Sequence, residues 1–283
     1  MGNIVWLASY PKSGNTWMRA FLYNLIERPA RPQALARLSE FFASDADPRW
    51  YQPLLGGRAV AECDPGETIA VKPAADQAIA ASRPGSVLTK THNRFGSFNG
   101  YPLHNLEVFA GAIYLVRNPL DVVLSLADHY ALDIDSAIEF MADERTALPN
   151  DDDTAASILG SWSGHVQSWT AKAHPAICVL RYEDLLEKPQ KSFARAARLL
   201  GLAQDKHAIR RAIELSSFRV LKGLENREGF AERSPDSTAF FRKGRKNQWL
   251  TALGEDQIAR IVEAHYEQMD RFGYVPPKFR RRG

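Results

Sequence analysis

Lys12, Ser13 and Thr16, set around Gly14 in the run Ser9-Tyr10-Pro11-Lys12-Ser13-Gly14-Asn15-Thr16-Trp17, could together hold an anion. They offer an ammonium, two hydroxyls and a glycine at which backbone N–H groups can turn inward. Lys90-Thr91-His92 adds a second ammonium and an imidazole, and Arg117-Asn118-Pro119-Leu120-Asp121, with Ser125 beyond it, adds a guanidinium and a hydroxyl. Arg181-Tyr182-Glu183-Asp184 mixes charges of both signs, whereas Arg242-Lys243-Gly244-Arg245-Lys246 by itself reads as a solvated basic loop or a nucleic-acid patch. Cations, hydroxyls and one imidazole suit the transfer of an anionic group, in which charge must be held and a proton moved.

The elements that must position these residues are legible around them. Ile4 to Ala8 reads as a buried strand entering the Lys12 loop, and Met18, Phe21, Leu22 and Leu25 recur at helical spacing beyond Asn15. A strand, a tight loop and a helix N-terminus form a phosphate-binding layout, since the helix dipole and free N–H groups converge there. Further strands are expected at Ser86–Thr89, Ala112–Val116 and Ile177–Leu180, with Thr68–Val71 as a weaker fifth. Helices are expected from Pro119 onward, over Ser192–Leu200 and over Glu255–Phe272. The alternation predicts an α/β fold, a central parallel sheet flanked by helices, in which ligands bind beyond the carboxyl ends of the strands. Each of the four stronger strands ends in one of the polar clusters. Pro29–Gly66, Thr146–Thr154 and Lys222–Gly244 resist a regular assignment, as binding loops and lids do.

The chain has 283 residues, is 45% hydrophobic and carries a formal charge of +3, so polyanion binding would have to come from local clusters. No apolar run approaches the roughly 20 residues of a membrane span, and the N-terminus lacks a signal-peptide pattern, so a cytoplasmic location is expected. Cys63 and Cys178 are too few for a disulfide framework or a cysteine zinc site, and Cys178 reads as a core residue. One domain over 1–283 is expected, with 278–283 as a basic, solvated tail.

In their order from residue 4 to about residue 249, these motifs, together with Ser217-Phe218 and Gly160-Ser161-Trp162, resemble those of the cytosolic-type sulfotransferases. The resemblance implies a P-loop-kinase-like fold and an enzyme that uses 3′-phosphoadenosine 5′-phosphosulfate, PAPS, as sulfuryl donor without a metal. It implies that Lys12, Ser13, Gly14, Asn15, Thr16 and Trp17 wrap the 5′ end, while Arg117, Ser125, Arg242, Lys243 and Gly244 hold the 3′-phosphate. Tyr182, Ser217, Phe218 and Phe241 join Trp17 as nucleotide-side residues, with flat rings that can stack on the base. His92, with an imidazole near its normal pKa, is the implied general base, and Lys12, Lys90 and Ser125 would act in the transfer.

The acceptor would be a small or amphiphilic molecule presenting a hydroxyl or, in second place, an amine, with Phe41, Phe42, Trp50, Tyr51, Phe95, Phe98, Tyr101 and His129 on its side of the site. Nucleic acid is not an expected partner. The chain departs from the family pattern in having Asn15 where Thr is common and Asn93-Arg94 where Leu-Pro is frequent. It also has Arg245-Lys246-Asn247-Gln248-Trp249 in place of a Gly-Asp-Trp ending, and it lacks the short dimer motif after Leu250, which leaves the oligomeric state open. Two rival readings use the same residues. One is a P-loop-type nucleoside or small-molecule kinase, in which Glu183 and Asp184 would mimic a metal-holding acid rather than cap and orient loops. The other is a non-catalytic nucleotide- or RNA-binding protein.

Overall fold

The computed structural model describes residues 3–202, 205–234, 237 and 239–281. Its centre is a strand, β1 (Asn3–Ser9), whose side chains alternate between two cores. Ile4, Trp6 and Ala8 face one core and Leu7 the other, as the period of two in a pleated strand dictates. The remaining strands of the sheet are β2 (Ala43–Ser44), β3 (Ser86–Thr91), β4 (Phe109–Val116) and β5 (Ile177–Arg181). β4 repeats the alternation, with Ala112, Tyr114 and Val116 in the first core and Ile113 and Leu115 in the second.

The strand order is β2-β3-β1-β4-β5, and every neighbouring pair is parallel. Registers of Leu7 with Lys90, Ser9 with Leu115 and Val116 with Arg181 bring the four polar clusters to one edge of the sheet. Helix Asn15–Glu27 starts at that edge, as the spacing predicts, and buries Met18, Phe21, Leu22 and Leu25. Helix Pro119–His129 has Pro119 in its first turn and is capped by the Asn118 side chain, which accepts from Leu120 N–H. The expected later helices run over Pro189–Leu199 and Glu255–Arg271.

Several expectations need correction. Thr68–Val71 is not a strand; it lies within helix Pro65–Ala81, which opens on a capping box of Asp64 and Glu67 with Pro65 at its first position. A short apolar run has no period of its own, and here the capping residues before it decide its conformation. The fifth strand is instead β2, inside the supposedly irregular Pro29–Gly66 segment, which also holds helix Ala36–Phe41 and three short 3₁₀ turns. Lys222–Glu228 is the end of helix Phe218–Glu228, so the late loop begins only at Gly229. The Thr146–Thr154 segment carries a two-residue strand that pairs with Ser157–Ile158. Lys278, Arg280 and Arg281 of the basic tail are exposed. Lys278 pairs with Glu255, and the Arg281 guanidinium lies 3.9 Å over the Tyr266 ring, while Arg282 and Gly283 fall outside the described residues.

Beneath the end of β3 lies a buried polar network that the sequence does not advertise. Lys72, 1% exposed, contacts Asp76 at 2.8 Å and Asp45 at 3.1 Å. Burial works against its ammonium, but Asp45 and Asp76 prevail and hold its pKa above the ordinary lysine value. Asp45 Oδ2 in turn accepts from Thr91 Oγ1 at 2.8 Å and Asn93 Nδ2 at 2.9 Å, the two neighbours of His92. Replacing Lys72 leaves two carboxylates in the interior without their cation, so Lys72→Met should lower stability by about 3–5 kcal/mol in urea unfolding. A loss under about 1 kcal/mol would mean that the network carries little of the fold around His92.

Candidate active site

The Lys12 loop leaves β1 through two left-handed residues, Lys12 (φ 64°) and Gly14 (φ 105°). Gly14 is required sterically as well, because a Cβ there would lie 2.8 Å from the Tyr182 ring. Asn15 secures the loop to β1 by donating from Nδ2 to the Leu7 carbonyl at 2.7 Å, while its Oδ1 is buried without a partner. Arg117 closes the loop from the end of β4, donating to the Lys12 carbonyl at 2.8 Å with its guanidinium 4.5 Å over the Tyr182 ring. Trp17 meets Tyr182 edge-on with ring centroids 5.6 Å apart.

These residues line one cleft of about 960 Å³ that runs along the carboxyl edge of the sheet. Lys12, Gly14, Asn15, Thr16, Trp17, Lys90, His92, Arg117, Ser125, Tyr182, Phe218, Phe241, Arg242, Lys243 and Gly244 all reach it. Ser13 is buried beside it with an unpartnered hydroxyl, and Ser217 opens helix Phe218–Glu228 without lining the cleft. Trp17 Nε1 and Arg117 Nε are likewise buried and unpartnered. A buried polar group without a partner costs about 1–3 kcal/mol, and three of them around one loop fit an anionic ligand that supplies the missing acceptors.

The late loop is tied into place before it meets any ligand. Asp121 accepts from the backbone N–H groups of Asn247, Gln248 and Trp249, at 2.7, 2.8 and 3.2 Å, and Glu225 accepts from those of Phe240 and Phe241. Arg242 donates to the Leu124 carbonyl at 3.1 Å and pairs with Asp128 at 3.4 Å, which sets it beside Ser125. At Gly244 (φ 58°) a Cβ would lie 2.1 Å from the Phe218 ring, so this glycine is needed for its packing on Phe218.

His92 is held in one tautomer. Its Nδ1 lies 2.8 Å from the Ser9 carbonyl, which can only accept, so the proton sits on Nδ1 and Nε2 keeps its lone pair. The backbone is fixed by His165, whose Nε2–H donates to the His92 carbonyl at 3.1 Å while its Nδ1 accepts from Tyr114. His165 thus packs and hydrogen-bonds structurally, as expected. The expectation of an ordinary imidazole pKa at His92 does not hold: burial and the neighbouring Lys90 push it down to about 3. Burial likewise lowers Lys12 to about 8, although Asp128 and Glu232 act in the opposite sense. The Lys12 ammonium sits 4.2 Å over the Phe240 ring.

Glu183 accepts from Asn118 N–H at 3.0 Å and from the Tyr274 hydroxyl at 2.7 Å, the loop-orienting part expected of it. Of the aromatic residues expected on the acceptor side, Phe42 lines the cleft, but Phe41, Trp50, Tyr51, Phe95, Phe98 and Tyr101 do not. Tyr51 is buried and donates to the Asp45 carbonyl at 2.6 Å, and Phe95 packs on His104 and Trp169. Tyr130, Leu132, Phe140 and Leu148, with His129, line the cleft instead. Glu232 and Arg19, which no motif flags, also reach the cleft and pair at 2.7 Å.

The chain matches the sulfotransferase domain family over residues 3–273. It is 26% identical to cytosolic sulfotransferase 15 of Arabidopsis thaliana, over 92% of this chain and 70% of that protein, and 26% identical to sulfotransferase 1A1 of Bos taurus, over 92% and 81%. Among solved structures, retinol dehydratase in complex with androsterone and the inactive cofactor PAP superposes with a TM-score of 0.65 at 19% identity, covering 98% of this chain and 83% of that one. A mouse sulfotransferase complexed with PAP gives 0.60 at 19% identity, covering 94% and 84%. The anion-holding loop, the order of the clusters and the fold all agree with this match along nearly the whole chain, which belongs to the sulfotransferase domain family and is a sulfotransferase.

Proposed function

We propose that this sulfotransferase takes its sulfuryl group from PAPS and gives it to a hydroxyl, or in second place an amine, of a small acceptor, releasing adenosine 3′,5′-bisphosphate, PAP. The observation that carries the reading is the convergence of two sets of cations on one cleft, Lys12 in its loop with Arg117 against it, and Arg242 and Lys243 from the late loop. A donor with anions at both its 5′ and 3′ positions answers both, whereas a ligand with one anionic end answers one. The PAP in the two solved structures and the cytosolic names of the relatives support the donor and a location in the cytosol. We read residues 1–283 as one catalytic domain.

PAPS would supply an activated sulfuryl group joined to the 5′-phosphate through an anhydride oxygen. Lys12, Ser13, Gly14, Thr16 and Trp17 would hold the 5′ end, with Asn15 contributing its backbone N–H at the helix start. Arg117, Ser125, Arg242, Lys243 and Gly244 would hold the 3′-phosphate, where planar guanidinium forks suit bidentate contact. Tyr182, Phe218 and Phe241 would face the base. Ser217 stands at the N-cap of helix Phe218–Glu228, next to Phe218.

His92 would take the acceptor proton at Nε2, which is unprotonated at neutral pH and aimed by the Nδ1–H bond to Ser9. An anion beside Lys90 would offset the charge that depresses His92 and strengthen it as a base. Lys12 and Lys90 would steady the charge that develops on the transferring group and its leaving oxygen. Leu132, Phe140 and Leu148 favour an apolar or ring-bearing acceptor.

The activity is tested by incubating the protein with PAPS and a panel of phenols, alcohols, sugars and amines and following sulfated product and PAP by mass spectrometry. Transfer from ATP–Mg²⁺ instead of PAPS would contradict the reading. In His92→Asn the amide, placed like Nδ1, can still donate to the Ser9 carbonyl but offers no base, so turnover should fall about 10²–10⁴-fold with PAP affinity changed less than about twofold. An unchanged turnover would remove His92 from the reaction. Lys12, at about 8, loses its charge as pH rises. PAP affinity should therefore be flat near pH 7 and weaken above pH 8, by at most about tenfold per unit, and Lys12→Arg should abolish that slope. Calorimetry between pH 7 and 9.5 checks this, and a slope unchanged in the arginine variant would assign the titration to another group.

A further inference from the structure

Glu232 stands where an anion is wanted. Its carboxylate accepts from Arg19 Nη2 at 2.7 Å on both oxygens, and one oxygen also lies 3.3 Å from Lys90 Nζ and 3.4 Å from Thr16 Oγ1. Arg19 and Lys90 outweigh burial and hold the carboxyl far below the usual carboxylate range, so it is charged throughout the physiological span. It is carried by a short turn that leaves helix Phe218–Glu228 through Gly229 (φ 72°) and is closed by a bond from Arg233 N–H to the Phe230 carbonyl at 3.0 Å. The same segment continues to Phe240, the ring under Lys12.

Thr16 and Lys90 are thus already engaged by a negative charge, and the PAPS reading above assigns both to the 5′ end of the donor. Two anions at contact distance on the same donors repel strongly in a half-buried site. We infer that Glu232 is an internal competitor for the 5′ anion site: its carboxylate neutralises Arg19 and Lys90 and occupies the Thr16 hydroxyl in the free enzyme, and the Gly229–Arg233 turn swings out as the nucleotide enters. The inference rests on that reading. It gives the free protein a counter-ion for its cations, and it couples departure of the product to return of the carboxylate.

An occluding group lowers apparent affinity by the fraction of molecules in which the site is open. If Glu232 is docked about nine-tenths of the time, removing its charge should tighten binding about tenfold. The test is calorimetry of PAP and of ATP with the full chain as wild type, Glu232→Gln and Glu232→Asp, with circular dichroism to confirm folding. Glu232→Gln is expected to bind PAP about tenfold more tightly, and Glu232→Asp, charged but shorter, to fall between it and the wild type. Equal or weaker PAP binding by folded Glu232→Gln overturns the inference.

A second measurement needs no variant. In wild-type protein, saturating PAP should speed amide hydrogen exchange over Phe230–Arg233, and unchanged or slower exchange overturns the inference. If the wild type binds ATP as well as PAP, the PAPS reading falls and the inference with it. If PAP is preferred and Glu232→Gln gains nothing, the inference alone falls.

Discussion

Positive charge gathered in a half-buried place is the constraint on which the rest of the structure depends. Lys12, Lys90, Arg117 and Arg242 reach one cleft from four different parts of the chain, and their mutual repulsion must be offset by something. Burial adds to the difficulty, as the depressed Lys12 ammonium records. The protein meets part of the demand with its own groups. Asp128 pairs with Arg242, Glu232 with Lys90 and Arg19, and aromatic faces lie under Lys12 and Arg117. A ligand with two anionic ends would complete the balance.

The parallel sheet makes such a gathering possible. With β1, β3, β4 and β5 running the same way, each strand delivers its last residue and the following loop to one edge. Most of this was legible because the signals are local: an apolar run, then Lys12-Ser13-Gly14; another, then Arg117-Asn118-Pro119 with its capping asparagine. Where the local signal was ambiguous the reading failed. Thr68–Val71 has the apolar character of a strand, and its helix is set by Asp64 and Glu67, which close a capping box before it begins.

Long-range pairings were not legible at all. Arg19 and Glu232 are separated by 213 positions, and neither stands in a run whose chemistry announces it. The Lys72 network is hidden for the same reason: a lysine on a helix face reads as solvated until tertiary packing brings Asp45 to it. Yet this network sets the backbone on either side of His92 through Thr91 and Asn93, while His165 and Trp169 hold the segment from the other side. His92 is therefore positioned by Asp45, Lys72, His165 and Trp169, which sequence spacing does not connect to it. Most of the aromatic residues expected on the acceptor side lie off the cleft, because aromatic residues in this chain more often fill cores than line it. Tyr51 and Phe95 sit in packed clusters, and the apolar end of the cleft draws on the helix and loop around Phe140 and Leu148.

The central claim is that two separate groups of cations hold one nucleotide by two anionic positions. Calorimetry of the purified protein with PAP and with adenosine 5′-monophosphate, which lacks only the 3′-phosphate, tests it most directly. Charge-assisted bonds from Arg117 and Arg242 to that phosphate should make PAP bind at least about 100-fold more tightly. Equal affinities for the two nucleotides would contradict the account.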